Sequence, residues 1–205
     1  YVLECARLGL TVRPPSVNLS EAEFSVKQGD VVFGLGAIKN LGLNSAHQIV
    51  AERADGGKFA SLHDLCRRMV PRGVPKAALR TLIQAGAMDE LGERNALLAA
   101  LDSAYGAAQK QQEDAARGQN SLFDDMADEA VTESAGALPS VPPMPTEERL
   151  ELERELLGLY LSDHPLLRVQ EKLNRCTTAS IEDLPLHAEK ASLLVGGLVA
   201  EVKPH

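Results

Sequence analysis

"GLGAIKNLGLNSAHQIVAERADGGKF", Gly34 to Phe59, is the stretch on which the fold turns. From Ala37 onward its apolar residues change to a helical period: Leu41, Ala46, Ile49 and Val50 fall at spacings that share one helix face. Gly56-Gly57 ends that run. Leu41-Gly42, an apolar residue followed by glycine, stands in the middle, where a tight turn would join two helices.

That pattern predicts a helix–hairpin–helix. Gly42 would adopt positive φ and let another backbone approach closely. The turn would then aim successive backbone N–H groups outward at the start of the second helix, the end with partial positive charge. Such an end binds phosphate, with Lys39 just before the turn and Arg53 and Lys58 after it. Contacts of this kind hold the nucleic-acid backbone without reading bases. The candidate contact residues are Lys39, Asn40, Leu41, Gly42, Leu43 and Asn44. Such turns usually read Gly-apolar-Gly, and Asn40 occupies the first glycine's place. Asn is the residue after Gly that best tolerates left-handed geometry, so the turn survives. The competing reading is a helix pair that only packs. A second, looser pair is expected around Ala85-Gly86-Ala87, followed by "DELGERNALL".

Upstream, residues 2–9 read as the tail of a helix stopped by Gly9, and Pro14-Pro15 hold "TVRPPSVN" extended. "AEFSVKQGDVVFGLG" predicts a β-hairpin, with Phe24 and Val26 alternating with polar residues and Gln28-Gly29-Asp30 in the turn. Downstream come "SLHDLCRRM" with Ser61 as N-cap, then "PKAALRTLIQAGA" opened by Pro75 and broken by Gly86. One long helix follows over "ERNALLAALDSAYGAAQKQQEDAAR", losing its apolar face after Ala108. Periodicity vanishes from Gly118 to Pro145, an acidic, proline-containing stretch expected to be a flexible linker. Thr146 is expected to cap "TEERLELERELLGLYLS", and "LLRVQEKLNRC" to form a shorter helix. "SLLVGGLVAEVK" has strand composition, with Gly196-Gly197 at a bulge or bend, and is expected to begin a truncated β domain.

The chain has 205 residues, 44% of them hydrophobic, and a formal charge of −8. The acidity is local: 12 acidic and 3 basic residues lie between Glu113 and Glu155, a net of −9, whereas Leu35 to Arg80 holds 8 basic against 3 acidic, a net of +5. A solvated surface is the ordinary meaning of such imbalance, and a basic face with phosphate-binding geometry is the other. No apolar run reaches membrane-spanning length, and no signal peptide opens the chain. The first residues lack a Met, so the chain is expected to be a piece of something longer. Cys5, Cys66 and Cys176 are odd in number and far apart, which argues against disulfides and zinc and for a reduced, cytoplasmic setting.

No catalytic or metal constellation emerges, and no Walker loop, G-x-S-x-G or H-E-x-x-H is present. His63 and Cys66 share a helix, with the Cys expected buried and the His exposed. "QNSLF" is conspicuous: Gln119, Asn120 and Ser121 precede adjacent Leu122 and Phe123, in a chain with four Phe and no Trp. Burying Leu and Phe in a partner's pocket would yield roughly 1.5–3 kcal/mol each, enough for a tethered docking motif. The alternative packs them against this chain's own helices.

Taken in order, "ECARLGLTVRPPSVNLSEAEFSV", "VVFGLGAIKNLG", "LIQAGAMDELGERNALLAAL" and "ELLGLYLSDHPL" resemble blocks of the bacterial C-family replicative DNA polymerases, the DNA polymerase III alpha subunits. The resemblance implies a mainly α chain. Residues 1–33 would end the fingers region with the β-hairpin, and 34–117 would form a tandem helix–hairpin–helix domain on duplex DNA. Residues 118–145 would be a clamp-binding motif and flexible acidic linker, 146–190 connecting helices, and 191–205 the first strand of a truncated OB-fold β-barrel. It implies that Gln119, Asn120, Ser121, Leu122 and Phe123 dock on the sliding clamp, the beta subunit. Other replisome subunits would be reached through the parent chain, with no membrane partner and a location in the cytoplasm, at the nucleoid. It also implies that the metal-binding aspartates and Mg2+ belong to a palm outside this sequence. The segment would then carry no catalytic residue and no cofactor of its own, although its parent is a DNA-directed DNA polymerase. The error-prone C-family paralogue and a free-standing DNA-and-clamp adaptor are the alternatives.

Overall fold

Gln28 and Gly29 both take positive φ, 56° and 87°. That is the two-residue turn whose twist matches paired strands, and it folds β2 (Ser25–Lys27) back on β3 (Asp30–Val32). The pairing is antiparallel, with Val26 opposite Val31. The computed structural model describes residues 5, 8–117, 138–161, 170–179, 184–187 and 191–197. A third strand was not expected. β1 (Val12–Arg13) pairs parallel with β3, giving the order β1-β3-β2. Residues 12–13 lie just before the two prolines, where an extended backbone still has amides to pair. Phe24 and Val26 are 54% and 72% exposed, so the hairpin's apolar alternation points outward while Val32 and Phe33 enter the core. Phe24 meets the Phe33 ring edge-on at 4.7 Å. Upstream, Cys5 is helical and Gly9 sits at φ 73°, and the Leu10 N–H returns to the Cys5 carbonyl at 2.8 Å. This is the left-handed stop expected of Gly9.

Six α-helices lie among the described residues: α1 (Leu43–Gly56), α2 (Leu62–Met69), α3 (Lys76–Gln84), α4 (Arg94–Ala116), α5 (Thr146–Leu157) and α6 (Gln170–Cys176). Ser61 caps α2, its side chain accepting from the Asp64 N–H at 3.1 Å, while the Asp64 carboxylate accepts from Ala60 N–H at 3.1 Å. α4 buries its apolar face as far as Ala108 and no further, as its sequence implies. Cys66 is buried, and His63 is half-buried where exposure was expected.

The core gathers one face of each of α1 to α4. Leu62, Leu65 and Met69 of α2 and Leu79, Leu82 and Ile83 of α3 meet Leu97 and Leu101 of α4, with Phe33 and Phe59 buried in the same cluster. Each large side chain buried there contributes about 1.5–3 kcal/mol. The loop 16–20 ties both helix pairs together. The Asn18 side chain exchanges two hydrogen bonds with the Phe59 backbone, at 3.0 and 2.8 Å, and the Val17 N–H donates to the Ala87 carbonyl at 2.8 Å.

Two compact units divide the chain, 1–161 and 162–205. The first joins segments that composition had separated at 118 and 146, because Leu150, Leu156 and Leu157 of α5 are buried and α5 packs on α3. α5 begins after Pro145 with no side-chain cap, so Thr146 is its first helical residue and not its cap. Gly158, at φ 78°, ends it before the expected "LYLS". In the second unit, the Thr178 N–H donates to the Leu194 carbonyl at 2.9 Å. Residues 191–197 form no strand, and 198–205 lie outside the described residues, as do 118–137. The mainly α class with a small sheet is what the structure has, but an OB-type end is not among its described elements.

Candidate nucleic-acid interface

The first hairpin is tighter than two helices and a turn. Its leading element is a single 3-10 turn, Leu35–Ala37, and α1 starts only at Leu43. Helical periodicity from Ala37 therefore overran the turn itself. Asn40 takes φ 66°, the left-handed geometry its residue type tolerates, and Gly42 takes φ 81°. No atom lies within 4 Å of where a Gly42 Cβ would stand. The glycine thus serves its own conformation, and the close backbone approach expected there does not occur within the chain.

These dihedrals expose the beginning of a 14-residue helix. No side chain caps α1, and its first turn has no acidic residue. Its first intrahelical bond runs from the Ala46 N–H to the Gly42 carbonyl at 3.2 Å, so the N–H groups of Leu43 and Asn44 have no acceptor within the helix. Lys39, Asn40, Gly42, Leu43 and Asn44 are exposed together, and Leu41 is buried at 3% exposure, available only through its backbone. An open cleft borders the turn, lined by Ala22, Glu23, Phe24, Gly36, Ala37 and Leu43. An exposed, uncapped helix N-terminus of this kind attracts anions through its dipole and its free donors.

The basic stretch is less free than its composition. The Arg53 side chain turns inward, donating to the Val17 and Ser20 carbonyls at 3.0 and 2.6 Å. Arg68 lies 4.3 Å from the Phe59 ring centroid and pairs with Glu52 at 2.9 Å and Asp64 at 3.3 Å. Arg67 pairs with Asp64 at 3.0 Å, Arg72 with Glu52, and Lys76 and Arg80 with Asp102 at 3.0 and 3.8 Å. Among the described residues Lys39 and Lys58 form no ion pair, and Lys39 adjoins the turn.

The second hairpin has the opposite character. Gly86 turns the chain at φ 79°, and the start of α4 is already occupied. Glu93 caps it, accepting from the Ala96 N–H at 3.0 Å and the Met144 N–H at 2.7 Å. Desolvation raises the Glu93 pKa, but backbone donors from Met144, Ala96, Asn95 and Arg94 outweigh it and hold the carboxyl below its usual range. Asn95 donates to the Pro142 carbonyl at 3.0 Å, and Leu138 covers Gly92. Only the first hairpin thus presents an uncapped α-helix start next to an unpaired cation. Sequence reasoning missed this occupation because Glu93 and Met144 are 51 residues apart, and no local spacing links them.

A helix-hairpin-helix motif model matches residues 9–98, spanning both hairpins. The chain is 37% identical over 198 residues to the DNA polymerase III subunit alpha of Haemophilus influenzae, 96% of this chain and 17% of that protein. Over nearly its whole length the chain matches DNA polymerase III alpha subunits. The Thermus aquaticus alpha subunit is 35% identical over 98% of the chain, and that of Escherichia coli K12 is 37% identical over 84%. The chain spans about one-sixth of the alpha subunits' length, 17% and 16% for the Haemophilus and Thermus proteins. Residues 119–123 lie outside the described residues, so QNSLF has no structural placement here. No helix among the described residues is long and apolar enough to cross a membrane.

Proposed function

We propose that this segment holds duplex DNA, without reading its sequence, for a DNA polymerase III alpha subunit. The observation that carries the reading is the uncapped start of α1, set by Gly42 at φ 81° beside the unpaired Lys39. A phosphate seated there would take N–H donors from Leu43 and Asn44 and charge from Lys39, with Asn40 shaping the turn. Binding of this kind is weak, salt-dependent and indifferent to bases. Reversing Lys39 to Glu is expected to lower affinity for unrelated duplexes by the same factor, measured by fluorescence anisotropy across a salt series. A strong preference for one sequence that persists at high salt would defeat the reading.

The tether to the sliding clamp is proposed from sequence: Gln119-Asn120-Ser121-Leu122-Phe123 offers two adjacent apolar anchors behind polar contacts. Leu122→Ala with Phe123→Ala is expected to abolish binding to the clamp in surface plasmon resonance while helicity stays unchanged, since two anchors in one desolvated pocket dominate a short interface. Undiminished binding by the double variant, or its unfolding, would reject the tether. Nucleotide transfer, its Mg2+ and the remaining replisome contacts are assigned to the rest of the polymerase, in the cytoplasm. This segment alone is proposed to extend no primer.

A further inference from the structure

α5 touches both hairpins. At its C-terminal end the Leu156 carbonyl accepts from the Lys39 N–H at 2.9 Å, pairing an unused helix-end acceptor with a turn donor. The first hairpin turn needs such support, because its own closing bond, Leu41 N–H to the Ile38 carbonyl, is long at 3.4 Å. Gly158 closes α5 immediately afterwards, its N–H donating to the Arg154 carbonyl at 3.0 Å. One turn earlier on α5, Glu153 is buried to 3% exposure and its carboxylate lies 3.6 Å from Arg94, itself 6% exposed. Arg94 also grips Asp89 at 2.9 Å and the Gln84 carbonyl at 3.3 Å, so its guanidinium is anchored in the second hairpin's turn. The other Glu153 oxygen accepts from the Leu161 N–H at 3.2 Å, which fixes the chain just past α5. The strap before α5 is held by Glu93 and Asn95.

We infer that α5 is a brace that sets the phosphate-binding shape of the first hairpin from the second, with Glu153 and Arg94 as its positioning residues. Neither residue reaches the exposed turn. They act by fixing the height and rotation of α5, which places the Leu156 carbonyl under Lys39. A buried acid and base separated by 59 residues give the brace one register, because sliding α5 by a turn would leave Glu153 buried away from Arg94.

The inference rests on the duplex-binding reading for its consequence but not for its geometry, and two measurements separate them. In Glu153→Gln, the Lys39 amide is expected to exchange with deuterium about tenfold faster while the Ile49 amide keeps its protection. Duplex affinity should fall about five- to tenfold, and Lys39→Glu should cost less in this background than in the parent, the non-additivity of coupled sites. Met144→Pro, which removes a strap donor from Glu93 but leaves that carboxylate its Ala96 donor, should shift both readouts in the same direction and serves if Glu153→Gln does not fold. Unchanged Lys39 exchange in a folded variant overturns the brace. If the exchange responds while neither Lys39→Glu nor Glu153→Gln alters duplex binding, the brace stands and the duplex-binding reading falls.

Discussion

Gly42 joins the two parts of the candidate interface: its φ of 81° and ψ of 129° turn the chain into α1 and leave the helix start uncovered. Space is not the constraint, since a Cβ there would meet nothing within 4 Å. Gly42→Ala is therefore expected to cost about 1–3 kcal/mol of stability through backbone strain alone. Urea unfolding would measure that loss, and an unchanged midpoint would show that the turn relaxes freely. Asn40, at φ 66°, occupies a milder left-handed position that its side chain tolerates, which is why the departure from Gly-apolar-Gly leaves the turn intact. Arg53 shows the limit of reading one residue from its type. Its position after a turn proposed to bind phosphate suggested a DNA contact, but its guanidinium is committed to the Val17 and Ser20 carbonyls. Sequence proximity gave no sign of those acceptors, 33 to 36 positions away.

Among the elements, the helices whose signals are local were legible from sequence. Ser61 with Asp64, Gly86 after α3 and the fading apolar face of α4 at Ala108 each depend on neighbours within a turn or two. β1 escaped notice because two residues carry no periodicity, and its pairing with β3 is decided 19 positions away. The start of α4 also depends on distant residues, and pH tests it. Glu93 has a lowered folded pKa, so the ionised carboxylate stabilises the folded chain above the ordinary Glu range. That contribution is lost as pH falls through the lowered folded value. The melting temperature of Glu93→Gln should therefore lie furthest below that of the parent near neutral pH, with the gap closing in acid. A gap that is constant with pH, or widens in acid, would show that the Met144 and Ala96 donors do not depend on the carboxylate's charge.

At the scale of the whole molecule, the charge division survives in a changed form. Most cations of the basic stretch are held in ion pairs with Glu52, Asp64 and Asp102, leaving Lys39 as the unpaired cation beside the turn. Part of the acidic stretch folds back onto the domain it was expected to leave. Glu153, counted from composition among surplus negative charges, is instead buried against Arg94. The chain from 138 to 161 should thus stay bound when its covalent connection is cut. A specific protease site inserted between 118 and 137 would leave two pieces, joined by the buried Leu150, Leu156 and Leu157, the Arg94–Glu153 pair and the bonds from Glu93 and Asn95. After cleavage at micromolar concentration, the pieces are expected to co-elute on size exclusion and to unfold together in a single transition at a lower temperature than the uncut chain, since the cut removes the loop connection's entropic advantage. Separation of the C-terminal piece, with the remaining 1–117 part keeping its melting temperature, would place the domain's edge at the end of α4. It would also remove the support proposed for the first hairpin.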